Sequence, residues 1–373
     1  MTPERLNHLA IEEGLDLAGV APAGPSPSWL RYREWVAAGY AGEMAYLARP
    51  DAVERRRDPR AIWPAAESVL VVAASYAGPP HPPLPRLHGR VARYAWGEPP
   101  FEAKAAADSR AAADSRAAAD GPATADSRIG QDYHRWLLRR VKALVRRIAA
   151  EVDREMDARV YVDTGPVLER AWAQAAGLGW TGKNACLIHP RLGSHLLLGV
   201  ALLPVPLPPP PPLAMPTCGT CTRCIEACPT GAIVAPGVVD ARRCLSYLTI
   251  EHRGPIPEIL RPALGDRVFG CDICQEVCPW NRRPLAAHAT EAAPPLATLS
   301  LPELLTLDAD AFRARFRHTP LWRATPEGLA RNAAVVLGNL HDPAARPALT
   351  RAAAAHPSAL VRDHAAWALA PSV

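Results

Sequence analysis

Two apolar rhythms alternate along the first two hundred residues. Residues 4–19 follow a helical spacing and run into a glycine-containing turn; residues 28–48 follow it again, interrupted by polar positions and by Gly39 and Gly42. At Ser68–Ser75 that spacing disappears. SVLVVAAS is apolar without alternation, as expected of a strand covered on both faces. Residues 131–156 return to a helix, with Trp136, Leu137, Val141, Leu144, Val145 and Ile148 as its stripe and Arg135, Arg139, Arg140, Lys142, Arg146 and Arg147 opposite. A strand at Arg159–Val162, a helix over Leu168–Leu178 ending near Gly179, and a strand at Leu196–Leu202 complete a mixed-sheet unit, so the predicted fold class is α+β.

Elsewhere the pattern changes character. Residues 98–130 contain AAADSR twice in tandem and offer no stripe to bury, which predicts an exposed insertion. The five consecutive prolines within Leu207–Leu213 predict an extended connector. Near the end, residues 329–340 resemble residues 360–370, with a short helix expected at 344–354 between them. Stacked helices of this kind suggest a HEAT-like unit.

Composition adds little to this outline. The 373 residues suffice for two or three domains, and 49% hydrophobic with 21% charged residues fits a globular protein. A net charge of +5 is compatible with a nucleic-acid partner and equally with small anionic substrates. The N-terminus lacks a basic start followed by an apolar run, and the most apolar stretch, Leu196–Leu207, is too short to span a bilayer. A cytoplasmic location without membrane attachment is the expectation, and it suits reduced thiols.

The thiols carry the strongest signal. Eight of nine cysteines fall between residues 218 and 278. Cys218, Cys221, Cys224 and Cys228, followed by Pro229, form the C-x2-C-x2-C-x3-C-P run of bacterial two-cluster iron–sulfur proteins, in which the fourth cysteine reaches the other cluster. Cys244, Cys271, Cys274 and Cys278, followed by Pro279, make an imperfect second copy. Crossed ligation assigns Cys218, Cys221, Cys224 and Cys278 to one 4Fe–4S cluster and Cys228, Cys244, Cys271 and Cys274 to the other. Zinc favours paired CxxC units and fits three thiolates at two-residue gaps poorly. Cys186 stands apart and reads as a small buried residue.

Two polar motifs precede the cysteines. In YVDTGPVLER, Asp163 ends a short strand before a tight turn, a place for a general acid and equally for an Asx-turn aspartate. In GLGWTGKN, the glycines at 177, 179 and 182 permit close backbone approach to a ligand, although the spacing is that of neither a phosphate loop nor a dinucleotide fingerprint.

Joined to the first cysteine run and to YLTIEHRGPIPEILRPALGDRVFGCDICQEVCPWNR, these motifs resemble the epoxyqueuosine reductase family. GEMAYLARPDAVERRRDPRAIWPAAESVLVVAASY and HGRVARYAWG extend the resemblance from about residue 5 to the C-terminus, and residues 98–130 are its one departure. The resemblance implies a cytoplasmic enzyme that removes the epoxide oxygen of epoxyqueuosine at the wobble position, 34, of tRNA. It implies a cobalamin without a histidine ligand from the protein, fed by two 4Fe–4S clusters. Asp163 takes the proton-donor position, and Arg57, Tyr76, Gly179, Trp180, Gly182, Lys183 and Asn184 lie around cobalamin or substrate. The role asks Asp163 for a raised pKa.

Expected partners are tRNA bearing epoxyqueuosine in its anticodon loop and a low-potential electron donor such as flavodoxin or ferredoxin, with the chain acting as a monomer. The organisation read from the sequence is a cobalamin-binding catalytic domain over 1–205, a two-cluster ferredoxin-like domain over 206–290, and a HEAT-like region over 291–373. That last region is expected to grip tRNA through Arg331 and Arg362. The competing classes are a corrinoid reductive dehalogenase, a two-cluster electron carrier, and an RNA-binding helical protein with a structural metal module.

Overall fold

The computed structural model describes residues 1–97, 132–211, 215–288, 291 and 293–370, so the expected insertion at 98–130 lies outside the described residues. Eleven strands are assigned among them: β1 Leu17–Pro22, β2 Ser68–Ser75, β3 His88–Val91, β4 Arg159–Tyr161, β5 Trp180–Thr181, β6 Leu187–Ile188, β7 Leu196–Leu203, β8 Ile233–Ala235, β9 Val238–Val239, β10 Arg267–Phe269 and β11 Thr298–Ser300. Helices and strands mix as an α+β fold. The main sheet runs β1-β2-β7-β4, and every neighbour in it is antiparallel.

The central strand β2 is buried from Ser68 through Ala74, as its unbroken apolar run requires. One face packs on the helices Pro3–Glu12 and Tyr133–Glu151, the latter through Trp136, Leu137, Val141, Leu144, Val145 and Ile148. The other face packs on the helix Glu169–Ala175 through Trp172 and Ala173. Arg147, on the basic face of the long helix, pairs with Glu12 and Glu13.

Two expected helices are shorter than their patterns. The first ends at Glu12, because Gly14 takes a φ of +74° and turns the chain into edge strand β1. LAGVAP alternates too little to announce a strand; its pairing with β2 decides it. The second stops at Ala37 before Gly39 and Gly42, both at positive φ, and helix resumes only at Ala45.

A smaller sheet, β10-β3-β11, joins three distant parts of the chain. Its core continues from Val91 and Trp96 through Val268 and Phe269 into the C-terminal helices Thr325–Asn339, Arg346–Ala355 and Ala359–Leu369. These helices lie close to the segments expected from the sequence, but Arg331 does not face RNA. Its side chain is fully buried and donates to the carbonyls of Leu248, His252 and Gly254 and to Asn332 Oδ1. Burial lowers its pKa to about 10, so it remains charged at neutral pH. Arg362 is half-buried and donates to the carbonyls of His356 and Pro357. Arg331 therefore clamps the C-terminal helices to the helix Leu245–Ile250 and the loop that follows it. Arg331→Met is expected to cost roughly 3–5 kcal/mol by leaving these acceptors unpaired. Thermal unfolding reads that loss, and tRNA affinity measured on the folded fraction should not change.

Candidate active site and cysteine module

Asp163 follows edge strand β4 and sits in the left-handed region at φ +55°, a conformation aspartate tolerates better than most side chains. Its carboxylate is half-exposed and accepts a hydrogen bond from the Tyr133 hydroxyl. His134 Nε2 stands 3.4 Å from the same Asp163 oxygen, while His134 Nδ1 lies 2.6 Å from Asp132 Oδ1. Asp132 also caps the long helix by accepting from His134 N. One helix N-terminus thus builds an Asp132–His134–Asp163 chain, with the two ring nitrogens facing opposite carboxylates.

Burial alone would lower the His134 pKa, but hydrogen bonds to Asp132 and Asp163 and their charges raise it to about 9. Burial would raise Asp163, but hydrogen bonds from His134 and Tyr133, the His134 charge and the Arg170 charge hold it below the ordinary range. The raised Asp163 pKa expected from the sequence is therefore not found; the proton sits on His134. Its extra stability is complete below pH 6.5 and fades as the pH rises through about 9. Wild type should lose melting temperature across that window more steeply than His134→Gln, as a pH series of thermal melts would show.

Two further groups border Asp163. Glu169, at the start of its helix, is pushed up to about 8, first by burial and also by the Asp163 charge, and its Oε1 has no hydrogen-bond partner. Arg56 is buried and donates to Ala52 O (3.1 Å) and Gly165 O (3.4 Å), holding the Asp163 turn. Arg57, the arginine singled out in the sequence, points away; it pairs with Glu54 at 3.1 Å and lies over the Trp29 ring. Nothing in the string RRR at 55–57 separates the buried arginine from its neighbours. Tyr133 and His134 were likewise hidden as ordinary helix residues.

Tyr76, directly after β2, reaches the cysteine segment. Its hydroxyl accepts from Gln275 Nε2 at 3.1 Å, and Gln275 Oε1 accepts from Ser194 Oγ, which accepts in turn from Asn281 Nδ2.

The Gly179–Asn184 loop lies against the cysteines. Gly179, at φ +153°, has no room for a Cβ against the Ile188 carbonyl, and a Cβ on Gly182 would meet Ile188 Cδ1 at 2.5 Å. These glycines are required by the tight β5–β6 hairpin itself. Trp180 is buried edge-on to Trp280 at 4.9 Å and packs with Cys278. Lys183 Nζ donates to Gly219 O at 2.8 Å, and Asn184 Nδ2 to Cys274 O at 3.4 Å. Cys186 is half-buried with its thiol at Cys274, so it is less isolated than its sequence position implies. Arg170 donates to Ala185 O on this loop, and its charge reaches both Asp163 and Cys186.

The cysteines gather in two sets. The neighbouring thiolates that raise Cys224, after burial, are Cys218, Cys278 and Cys221; Cys274 is raised first by its hydrogen bond with Cys186 and by burial, then by Cys271 and Cys244, and Cys244 feels Cys228. Among the described residues, the ligand atoms that come within 4.8 Å of one another in threes belong to His81, Asp272 and Glu276, not to either cysteine set. A tetrahedral zinc, with Zn–S of about 2.3 Å, draws its sulfurs closer than that. Backbone N–H groups already point at sulfur, as from Ala232 N to Cys228 Sγ at 3.2 Å.

Residues 217–281 match the family described as 4Fe-4S double cluster binding domain, and residues 56–99 and 105–164 match epoxyqueuosine reductase QueG, DUF1730. The epoxyqueuosine reductase of Xanthomonas campestris pv. campestris is 39% identical over 375 residues, covering 98% of this chain and 95% of the relative. That of Burkholderia pseudomallei is 40% identical over 390 residues, covering 98% and 91%. Among solved structures, an epoxyqueuosine reductase with an epoxyqueuosine-modified tRNA-Tyr stem loop superposes with a TM-score of 0.80 at 30% identity, covering 98% of this chain and 88% of that one. A Bacillus subtilis epoxyqueuosine reductase with its catalytic aspartate loop swung out of the active site gives a TM-score of 0.78 at 29% identity, covering 98% and 89%.

Proposed function

Because the chain belongs to the epoxyqueuosine reductase family, and is thus an oxidoreductase with a 4Fe–4S binding domain, we propose that it deoxygenates epoxyqueuosine at tRNA position 34 through a cobalamin fed by two 4Fe–4S clusters. The observation that carries this reading is the Asp132–His134–Asp163 chain, which presents a half-exposed carboxylate within reach of the Arg170 charge, while Arg170 itself donates to Ala185 beside the loop touching Cys274. Conversion of the epoxide to an alkene consumes two electrons and two protons and releases the oxygen as water.

The residues fit these groups. Eight thiolates supply the ligands for two clusters, Cys218, Cys221, Cys224 and Cys278 holding one and Cys228, Cys244, Cys271 and Cys274 the other. The partnerless Glu169 Oε1 wants a donor of the kind carried by the amide arms of a corrinoid, and Glu169, Tyr76 and Arg56 would hold that group. When bound, cobalamin supplies the redox-active metal for the reaction at carbon. The protein moves the proton. Asp163, half-exposed as it stands, would have its pKa raised wherever water is excluded from its carboxylate, and it would then take the proton from His134. Asp163 then delivers that proton to the epoxide oxygen as charge develops there. Tyr133 keeps its own proton, its pKa pushed well up by burial and by Asp163, and orients the carboxylate.

In this reading residues 1–205 bind cobalamin, 206–290 hold the clusters, and 291–373 form the HEAT-like cap. The enzyme works as a monomer in the cytoplasm, where its tRNA substrate is found. Among the described residues, no helix is long and apolar enough to cross a membrane. Anaerobic reconstitution followed by iron, sulfide and cobalt analysis tests the cofactors. About eight irons and one corrinoid per chain are expected, with turnover of tRNA containing epoxyqueuosine. Iron without corrinoid would overturn the cobalamin part.

A further inference from the structure

The two cysteine loops differ in how they meet solvent. From Gly270 to Cys278 no residue is exposed. From Thr217 to Pro229, in contrast, Thr217, Gly219, Thr220, Thr222, Arg223, Glu226 and Pro229 are all exposed. The Cys218 loop is therefore the outer one, while Cys274 of the inner loop touches Asn184 and Cys186 on the side of Arg170 and Asp163.

Each loop borders a hollow, and the two are electrically unlike. The hollow beside Cys271, about 420 Å³, contains Arg90, Arg93 and Arg267, but these are matched by Asp266, Asp272 and Glu276. Ion pairs at 2.7 Å (Arg90–Asp266), 2.9 Å (Arg93–Glu276) and 3.4 Å (Arg267–Asp266) consume the charge. The hollow beside Cys218 and Gly219, about 380 Å³, is lined by Arg31 and Lys183 and, among the described residues, by no carboxylate. Their hydrogen bonds go to the carbonyls of Pro236 and Gly219, which leave both positive charges uncancelled. Exposed Arg223 adds another on the loop itself, with Glu226 the one acid there.

We propose that this Arg31–Lys183–Arg223 surface is where an acidic, low-potential one-electron carrier docks, so that electrons enter at the Cys218 cluster and leave from the Cys274 cluster toward Asp163. The inference rests on the two-cluster reading above. Each docking event oxidises the carrier by one electron and reduces the outer cluster by one. Two events supply the pair that, with two protons, turns epoxide into alkene and water. Complementary charge accelerates such encounters and makes them sensitive to salt.

The test uses the full chain loaded with clusters and cobalamin, an acidic flavodoxin as the carrier and dithionite as the small reductant. Bleaching of cluster absorbance is followed by stopped flow without tRNA, so the result does not depend on which substrate the enzyme accepts. Arg31→Glu and Arg223→Glu are each expected to slow reduction by flavodoxin tenfold or more at low salt, with the gap closing at high salt. Dithionite reduction, iron content and tRNA affinity should match wild type. Unchanged flavodoxin kinetics in Arg31→Glu, which lies on a helix outside the cysteine loop, would overturn the proposal. A parallel loss of tRNA affinity would also overturn it, by assigning the surface to RNA. Absence of cluster absorbance in wild type would instead sink the two-cluster reading.

Discussion

Asp163→Asn is expected to lower epoxide deoxygenation by roughly 10²–10⁴-fold, the range for removing a positioned proton donor, with both clusters retained. Asparagine keeps the size of the side chain and can still accept from Tyr133, so the turn at φ +55° should survive. What it cannot do is carry the proton from His134 to the substrate. Because the chain of transfer begins one residue further back, His134→Gln should lose activity too, but with a different signature. Its rate should no longer fall as pH rises through about 9, where the wild-type imidazolium gives up its proton. A pH–rate profile of the three proteins on tRNA containing epoxyqueuosine separates the roles. Equal activity of Asp163→Asn and wild type would remove Asp163 from the chemistry.

The second large effect concerns ligation. Cys218 and Cys228 are ten residues apart in one run, yet the proposed crossed ligation assigns them to different clusters. The double variant Cys218→Ser/Cys228→Ser should therefore lose nearly all of about eight irons, whereas Cys228→Ser/Cys274→Ser should keep about four. Ligation without crossing predicts the reverse ordering, with about four irons kept in the first variant and nearly none in the second. Cys186→Ser should keep all of them. Anaerobic iron and sulfide counts on folded protein distinguish the outcomes, and both double variants should be inactive.

Elements with one dominant local signal were legible before the fold was known. β2 was placed at Ser68–Ser75 by its apolar run alone, β7 to within a residue, and the long helix by its stripe. The iron–sulfur domain over residues 217–281 was legible because the spacing of cysteines in such a loop is set by the metal they hold. What stayed hidden depends on partners far away in sequence. β1 exists because β2 offers it an edge. Arg331 looked like a surface cation because nothing local announces carbonyls at 248, 252 and 254 converging on it. In the site, Asp163 stood out at a strand end, but its pKa was misjudged since His134 approaches from 29 residues earlier, across residues the helix pattern treats as filler. The Gly179–Asn184 glycines invited a ligand-loop reading. They also serve a hairpin of two residues per strand, where a Cβ at Gly179 would meet the Ile188 carbonyl.

The small sheet β10-β3-β11 bears on how the protein is made. β3 emerges from the ribosome some 180 residues before β10 and 210 before β11, yet it is the middle strand and pairs with both. Until Thr298–Ser300 has been synthesised, β3 has an unsatisfied edge, and the helices that close over it come later still. Contacts this distant in sequence form slowly. The inner cysteine loop follows directly from β10, at Gly270, so its final shape waits on the same event. Iron–sulfur loading then belongs to a nearly complete chain, and a nascent or truncated one ending before residue 298 would present its thiols without the scaffold that spaces them.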